Sequence, residues 1–237
     1  MKILIIDNTI DQDSWGSPEL RQLAQLAPDA TIHTRRAPHG DLPSSPRGYD
    51  RIILSGSKTS AMENAPWIES LHRFVGQALD ESIPYLGVCF GHQTLARVVS
   101  GKHAQTDQVC GKAKTPEIGW TKIEVFGESE LFKGLPKEFY SFSSHYEEVS
   151  ELPSQLRNFA KSADCAVQAV QLGNKPVYGI QFHPEKDIPS AEKTFTSKKK
   201  SPQTKNDPLL HAGQSKKFFN PAVGEAIFKN FLGLTHV

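Results

Sequence analysis

Two short segments, far apart in the chain, carry the side chains best suited to covalent chemistry. In the first, residues 84–93, Cys89 stands between Gly87 and Gly91 at the end of an apolar run and the start of a helical apolar pattern. A thiol at the first turn of a helix faces unpaired N–H groups and the positive end of the helix dipole, which favour the thiolate. The two glycines suit a strained strand-to-helix turn with no room for neighbouring side chains. This pattern predicts a nucleophilic cysteine on a sharp elbow.

The second segment, residues 177–185, offers a base for that thiol. It is an apolar run that ends in His183, Pro184 and Glu185. A cysteine nucleophile needs a base that takes its proton and returns it to the leaving group, and the base needs a third group that fixes its orientation. Alone, an inert buried thiol or a surface histidine is the plainer interpretation of each segment. Together they predict a triad of Cys89, His183 and Glu185.

The two segments resemble the motifs of the class I, or triad, glutamine amidotransferases, the glutaminase module that also occurs in GMP synthetase, anthranilate synthase and carbamoyl-phosphate synthetase. The resemblance runs from residue 1 to about residue 186 and resumes near residue 220. It implies that Cys89 attacks the side-chain amide of glutamine, giving a γ-glutamyl thioester and releasing ammonia. Water would then release glutamate.

An oxyanion hole is a further implication of the resemblance. One donor would be the backbone N–H of Phe90, immediately after the nucleophile. The other would come from Gly56 and Ser57, after the predicted strand Arg51–Leu54, where the family usually has adjacent glycines or Gly-Pro-Gly. Because Ser57 carries a Cβ, we expect this loop to sit differently from the family's or to rearrange before it is competent.

Substrate-binding positions carry over in the same way. Gln93 matches the family residue that contacts the α-substituents of bound glutamine. Ser144, His145 and Tyr146 match the start of the family's Ser-His-x-Asp-x-Val segment, with Glu147 where aspartate is more usual. The resemblance therefore implies that Gln93, Ser144, His145 and Tyr146 line the glutamine pocket.

Strands and helices alternate in the first half of the chain. The pattern predicts strands at 2–7, 31–34, 51–54 and 84–88, and helices near 18–26, at 67–79 and after Cys89. From about residue 115, short strands follow one another at 118–126, 138–141, 159–162, 167–172 and 177–182. We predict an α/β fold with a mixed, mostly parallel central sheet of flavodoxin-like type, helices on both faces and an antiparallel extension. Ligands of such sheets lie beyond the carboxyl ends of the strands, where all the candidate residues fall.

Composition limits the classes of function. A chain of 237 residues with 38% hydrophobic content is consistent with a single domain over residues 1–237. The formal net charge of +1 gives no signal for nucleic acid, and no apolar stretch predicts a membrane span or signal peptide. Three cysteines favour a reducing cytoplasm. Cys110 and Cys165 have no histidine or cysteine at metal-ligand spacing, so we expect structural roles for them, with no metal and no cofactor.

Residues 187–219 depart most from the family, whose members usually reach the last helix through a short loop. The stretch is basic around residues 198–205 and poor in apolar residues, which predicts a solvated, mobile insertion. Because it begins two residues after Glu185, it is also placed to act as a lid or as a docking element for a partner.

The acceptor of the ammonia is not evident from this chain, which has no Gly-rich phosphate loop and no second domain. One hypothesis is a glutaminase that passes ammonia to a separate synthetase subunit or other acceptor. A second is a hydrolase of γ-glutamyl peptides or amides, since the Phe-Gly-His-Gln form of the elbow is also found in plant-type γ-glutamyl peptidases. A third is a catalytically silent regulatory module of the same fold.

Overall fold

The computed structural model of this protein describes residues 1–11, 16–101 and 109–233. Within these residues, nine strands join in one sheet. In chain order they are β1 (Lys2–Asp7), β2 (Thr31–Arg36), β3 (Arg51–Leu54), β4 (Tyr85–Val88), β5 (Cys110–Val125), β6 (Glu138–Val149), β7 (Leu156–Lys161), β8 (Ala169–Leu172) and β9 (Val177–Ile180).

The α-helices of the described residues connect or flank these strands. They are α1 (Ser17–Ala24), α2 (Pro66–Asp80), α3 (Phe90–Ser100), α4 (Ile188–Lys200), α5 (Ser215–Phe218) and α6 (Pro221–Gly233). Pro66 stands in the first turn of α2, where its missing N–H costs no hydrogen bond. No helix in the described ranges has both the length and the apolar character that crossing a membrane requires.

The sheet is mixed, as the sequence predicts. Its strand order is β2-β1-β3-β4-β9-β8-β7-β5-β6. The first five strands in this order run parallel, and the pairs from β9 to β6 are antiparallel. Because β3, β4 and β9 are parallel neighbours, the segments that follow them meet at one edge of the sheet. These segments begin at Ser55, Cys89 and Gln181.

Alternating side chains of the parallel strands enter two hydrophobic cores. Leu4 and Ile6 pack with residues of α2 and α3 on one face. Ile3 and Ile5 pack with residues of α1 and α6 on the other. This burial on both faces explains why the parallel strands are continuous apolar runs rather than alternating patterns. The predicted helices on both faces are confirmed.

Two strands of the antiparallel half are longer than the sequence pattern predicts. The strand expected at 138–141 continues to Val149 as β6, and the strand expected from residue 118 begins at Cys110 as β5. These strands pair along most of their length, with a register irregularity between Lys112 and Glu117. The polar residues of 143–148 hide the strand pattern, so the pairing with β5 is visible only in the tertiary structure.

The segment 187–219 contains a helix that the sequence did not predict. Asp187 caps α4 by accepting from the backbone N–H of Ser190 at 2.8 Å. Ala191 and Phe195 of this helix are buried against Trp120 and Phe142. The segment thus has its own small core against β5 and β6, while its predicted mobility stays a prediction.

The later part of this segment is joined to β5 by backbone contacts. Leu210 donates to the Ile118 carbonyl at 2.8 Å, and Trp120 donates to the Leu210 carbonyl at 3.1 Å. Between them, Gly119 has a φ of 128°, and a Cβ there would lie 2.1 Å from the Leu210 carbonyl oxygen. A glycine at position 119 therefore allows the close approach of the two chain segments.

Candidate active site

Cys89 stands on a sharp elbow between β4 and α3. Its φ is 51° and its ψ is −101°, a conformation that costs a residue with a Cβ about 1–3 kcal/mol. The Cys89 N–H donates to the Ile180 carbonyl at 2.8 Å, and the Cys89 carbonyl accepts from the Gln93 N–H at 3.0 Å. These bonds hold the strained residue between β9 and the first turn of α3. The predicted nucleophile elbow is therefore present.

Three glycines make the elbow sterically feasible. A Cβ on Gly87 would lie 2.3 Å from the Gly91 carbonyl oxygen, and one on Gly91 would lie 2.7 Å from the Leu54 Cβ. A Cβ on Gly179, in β9, would lie 2.6 Å from Nδ1 of His92. The first turn of α3 thus packs directly on the backbone of three strands, as the Gly-x-Cys-x-Gly pattern predicts for the first two positions.

His183 and Glu185 lie beside Cys89 at the end of β9. The His183 Nδ1 is 2.7 Å from Glu185 Oε1, and both side chains are almost fully buried. The Cys89 thiol is another hydrogen-bond partner of the His183 ring. Since Nδ1 faces the carboxylate, the sulfur meets the Nε2 side of the ring. The His183 N–H donates to the Phe142 carbonyl at 2.7 Å, which fixes the backbone that carries the imidazole.

The electrostatics of this group favour an imidazolium. Burial lowers the pKa of His183, but the Glu185 carboxylate and the Cys89 sulfur outweigh it and raise this pKa from 6.5 to about 9. A proton that leaves the Cys89 thiol is therefore held well on the ring. The three predicted triad residues come together in an arrangement that can form a thiolate and an imidazolium side by side.

Gln93 lies under the nucleophile, on the first turn of α3. Its Nε2 donates to the Glu147 carbonyl at 2.8 Å and to Gln181 Oε1 at 3.0 Å. Gln181 in turn places its Nε2 3.5 Å from the Cys89 sulfur. Because both N–H donors of Gln93 are used, its carbonyl oxygen is the atom it can offer to a ligand, an acceptor suited to an ammonium group.

The Ser55–Ser57 loop follows β3 beside the elbow. Ser55 Oγ accepts from the Asn8 N–H at 2.9 Å and donates to the Gly56 carbonyl at 2.8 Å. Ser57 Oγ donates to the Asn8 carbonyl at 2.7 Å and accepts from the Thr59 N–H at 3.0 Å. Ser57 is not among the described residues with positive φ, so its Cβ is accommodated without that strain. The oxyanion roles of Gly56, Ser57 and Phe90 stay predictions.

Ser144, His145 and Tyr146 lie in β6, with different surroundings. His145 is buried, with Nε2 3.0 Å from Glu117 Oε2 and Nδ1 3.1 Å from the Glu147 carbonyl oxygen. Tyr146 is exposed and Ser144 partly buried. Both ring nitrogens of His145 are thus engaged with protein atoms, and its contribution to the site is to hold the Glu147 carbonyl. Contact of any of the three with a substrate stays a prediction.

Glu117 was not predicted as a functional residue, yet it organises a buried polar cluster. Its carboxylate accepts from Ser162 at 2.6 Å and from Gln168 at 2.6 Å, in addition to meeting His145. Cys165 comes within 4.8 Å of the Glu117 and His145 ligand atoms, a proximity that spacing along the chain does not reveal. Burial raises the pKa of the Cys165 thiol, which keeps it protonated and suits a structural role rather than metal ligation.

The segment 187–219 reaches the exposed side of the same strand. Lys198 Nζ donates to the Tyr146 hydroxyl at 2.8 Å and lies 4.3 Å from the centre of its ring, and the hydroxyl donates to Asp207. Burial lowers the pKa of Lys198, the Asp207 carboxylate raises it, and the charge of Lys58 lowers it again. The insertion helix therefore brings a cation close to Lys58, which follows the Ser55–Ser57 loop.

The fold and the site together define a class of protein. A mixed sheet carries a cysteine elbow after one central strand, with histidine and glutamate after the neighbouring strand. Residues 15–201 match the family described as glutamine amidotransferase class-I. The chain belongs to this family, which confirms the resemblance drawn from its motifs.

Several individual proteins are similar to this chain. The glutamine-hydrolyzing subunit of GMP synthase from Pyrococcus abyssi is 34% identical over 167 residues, which cover 70% of this chain and 80% of that protein. Its counterpart from Methanocaldococcus jannaschii is 38% identical over 134 residues, covering 56% of this chain and 63%, just under two thirds, of that protein. A glutamine amidotransferase structure from Thermotoga maritima matches with a TM-score of 0.78 at 22% identity, covering 98% of this chain and 96% of that one, and thus shares the fold.

Proposed function

We propose that this protein is a glutaminase that hydrolyses the side-chain amide of glutamine through a cysteinyl γ-glutamyl thioester. The observation that carries the proposal is the position of the His183 ring, which has Glu185 at 2.7 Å on one side and the Cys89 thiol as hydrogen-bond partner on the other. This is the relation that a nucleophile, a base and an orienting carboxylate require.

The reaction has two halves. In the first, the Cys89 thiol gives its proton to His183, and the thiolate attacks the γ-carbonyl carbon of glutamine. His183 then gives the proton to the leaving nitrogen, the C–N bond breaks, and ammonia and the thioester result. In the second half, His183 takes a proton from water, the hydroxide attacks the thioester carbon, and the sulfur leaves with the proton returned to it. Glu185 stabilises the imidazolium in both halves.

The oxyanion formed in each half needs donors at the carbonyl oxygen. We assign them to the Phe90 N–H and to the backbone N–H groups of Gly56 and Ser57. Phe90 is the first residue of α3, where helix N–H groups lack partners within the helix. The packing of Gly91 on Leu54 brings the start of the Gly56–Ser57 loop next to that turn. Preorganised N–H groups of this kind contribute the largest share of stabilisation in acyl transfer.

For the substrate, we assign the α-ammonium group to the carbonyl oxygen of Gln93, and to Ser144 and Tyr146 the rim of the glutamine pocket. His145 supports the pocket through the Glu147 carbonyl. Ammonia then passes to a separate synthetase subunit. Support for this partner comes from the similar proteins, which are described as glutamine-hydrolyzing subunits of GMP synthase. A nucleophilic thiol and three free cysteines suit the reducing cytoplasm.

Ammonia release from glutamine tests the proposal. The purified chain is assayed alone and with a GMP synthetase subunit from the same cell, using Cys89→Ser as the inactive control. A γ-glutamyl chloroketone should alkylate Cys89 in the wild type. Ammonia release that depends on Cys89 supports the proposal, and stimulation by the added subunit supports the partner. Absence of both labelling and ammonia would leave the silent module as the better description.

One observation favours a γ-glutamyl peptide hydrolase as second candidate. Lys58 and Lys198 approach each other beside Tyr146, and two ammonium groups suit the extra carboxylate of a γ-glutamyl dipeptide. In this case the insertion 187–219 selects the substrate. We therefore compare amine release from γ-glutamyl dipeptides with ammonia release from glutamine, in Lys198→Ala and in Lys199→Ala, an exposed lysine of the same helix. A rise in KM for the dipeptide in Lys198→Ala alone supports the second candidate, and equal behaviour of both variants excludes this role for Lys198.

A further inference from the structure

A chain of side-chain hydrogen bonds leads from the backbone of β6 to the nucleophile. The Glu147 carbonyl accepts from Gln93 Nε2 at 2.8 Å, Gln93 Nε2 also donates to Gln181 Oε1 at 3.0 Å, and Gln181 Nε2 lies 3.5 Å from the Cys89 sulfur. The three side chains are buried within the described structure. Gln181 belongs to the segment that carries the triad base, but neither the motif nor the mechanism above gives it a role.

The orientation of the Gln181 amide follows from the far end of this chain. A backbone carbonyl can only accept, so Gln93 must present its NH₂ group to Glu147. The second proton of the same NH₂ group points to Gln181, which must therefore present its oxygen. The NH₂ group of Gln181 is left facing the Cys89 sulfur. The donor at the nucleophile is thus set by an acceptor in the backbone of another strand.

We propose that Gln181 is a further catalytic residue of this site, whose Nε2–H donates to the Cys89 sulfur and stabilises the thiolate. Gln93 is the positioning residue that keeps this donor turned toward the sulfur. The inference rests on the proposed function, in which the thiolate is the attacking species. A hydrogen bond to an ionised acceptor is stronger than one to a neutral acceptor, so the donor favours the thiolate over the thiol.

The bond has a second effect, on geometry. Gln181 follows β9 and precedes His183 by two residues, which is the period of an extended chain, so both side chains can face the elbow. The sulfur therefore has an amide donor and the imidazole on the side of β9. Attachment of the sulfur to both groups limits its rotation and keeps it close to the base.

Charged groups around the sulfur come from each element packed on the elbow. His183 touches it, and Glu185 lies behind His183. On the side of β6, the Glu117 and His145 pair holds the Glu147 carbonyl, two hydrogen bonds removed from Gln181. Gln181 itself does not titrate, so replacing it changes the donor at the sulfur without removing any of these charges.

The test uses the full-length protein with Gln181→Glu and Gln181→Met. The glutamate has the shape of glutamine and still accepts from Gln93, but it places a carboxylate oxygen at the sulfur. Methionine removes the donor without adding charge. Gln171→Glu is the matched control, because it places an acid in β8, where Gln171 Oε1 accepts from Arg157 at 2.6 Å. Iodoacetamide alkylation of Cys89 is followed by peptide mass spectrometry across pH, together with kcat/KM for glutamine and thermal unfolding.

We expect the pH midpoint of Cys89 alkylation, and the acid limb of kcat/KM, to move up by about one pH unit in Gln181→Met and further in Gln181→Glu. Gln171→Glu should keep the wild-type midpoint. Midpoints equal to the wild type in folded variants would overturn the role of Gln181, and so would a lower rate accompanied only by lower stability. If a Gln181 variant does not fold, Gln93→Met tests the same donor by freeing the Gln181 amide to rotate, and an unmoved alkylation midpoint there overturns the proposal.

The alkylation midpoint does not depend on glutamine turnover, so the two proposals fail separately. A shifted midpoint in a protein that releases no ammonia would support the donor role of Gln181 and contradict the glutaminase function. Normal ammonia release with unmoved midpoints would have the opposite meaning.

Discussion

His183 Nδ1 lies 2.7 Å from Glu185 Oε1, although only Pro184 separates the two residues in the chain. Pro184 has no N–H with which to continue a strand, and the backbone leaves the sheet between them. The short separation lets one turn orient the base, whereas the nucleophile comes from another strand. The triad therefore depends on the parallel pairing of β4 with β9.

Replacement of Cys89 by serine should abolish turnover while preserving the fold. Serine lacks the acidity of the thiol at the start of α3, and we expect glutamine hydrolysis to fall by at least about a thousandfold. Ammonia release and alkylation by the chloroketone measure the effect. Cys165→Ser is the control, since that thiol lies in the Glu117 cluster. Residual hydrolysis near the wild-type rate in Cys89→Ser would contradict the assignment of the nucleophile.

Glu185→Gln should lower kcat much more than it changes KM. The amide keeps the shape but no longer stabilises the imidazolium and can present the wrong group to Nδ1, as in triads whose acid is replaced by its amide. We expect a loss of about a hundredfold or more in kcat. Steady-state kinetics with glutamine measure it, with Glu225→Gln on the exposed side of α6 as control. A change confined to KM would point to substrate binding instead.

Stability should depend on pH through His183. The pKa of His183 in the folded protein, about 9, exceeds the ordinary 6.5, so folding favours the protonated ring. This contribution is complete below the unfolded value and is lost as the pH rises through about 9. We expect Glu185→Gln to flatten the loss of unfolding free energy in this window, as measured by urea titration at several pH values. An equal slope in both proteins would exclude this pair as the source.

Gly87→Ala should destabilise the protein strongly. A Cβ there would lie 2.3 Å from the Gly91 carbonyl oxygen, so the elbow must move, at an expected cost of about 3 kcal/mol. Gly76→Ala in α2 is the matched control, because its nearest neighbour would be 3.9 Å away and alanine favours helix. Urea unfolding should show the control unchanged or more stable. Equal stability of the two variants would contradict the packing of the elbow.

Phe195→Ala should release the insertion helix from the body of the protein. Phe195 is buried in the cluster with Trp120 and Phe142, and its ring centroid lies 5.6 Å from that of Phe142. We expect faster proteolysis within residues 188–219 and a loss of about 3–5 kcal/mol wherever the segment unfolds with the domain. Thr196→Ala, at an exposed position, is the control. Unchanged proteolysis would show that α4 does not depend on this contact.

The sequence by itself was sufficient for the parts of the site that rest on local geometry. The elbow around Cys89 needs glycines next to the nucleophile, and the orientation of His183 needs a carboxylate within one turn of the chain, so both leave short motifs. The parallel half of the sheet also follows from apolar runs that alternate with helical patterns. In each case the physical constraint acts between residues close in sequence.

Only the tertiary structure decided which distant groups surround these motifs. Gln181 becomes a donor to Cys89 because a carbonyl of β6 orients Gln93, and Cys165 meets Glu117 and His145 through pairing of separate strands. The insertion helix likewise depends on a few apolar side chains that find a cover over β5 and β6. A side-chain hydrogen bond acts over about 3 Å, so its partners are fixed by strand register and rotamers, for which no spacing along the chain stands in.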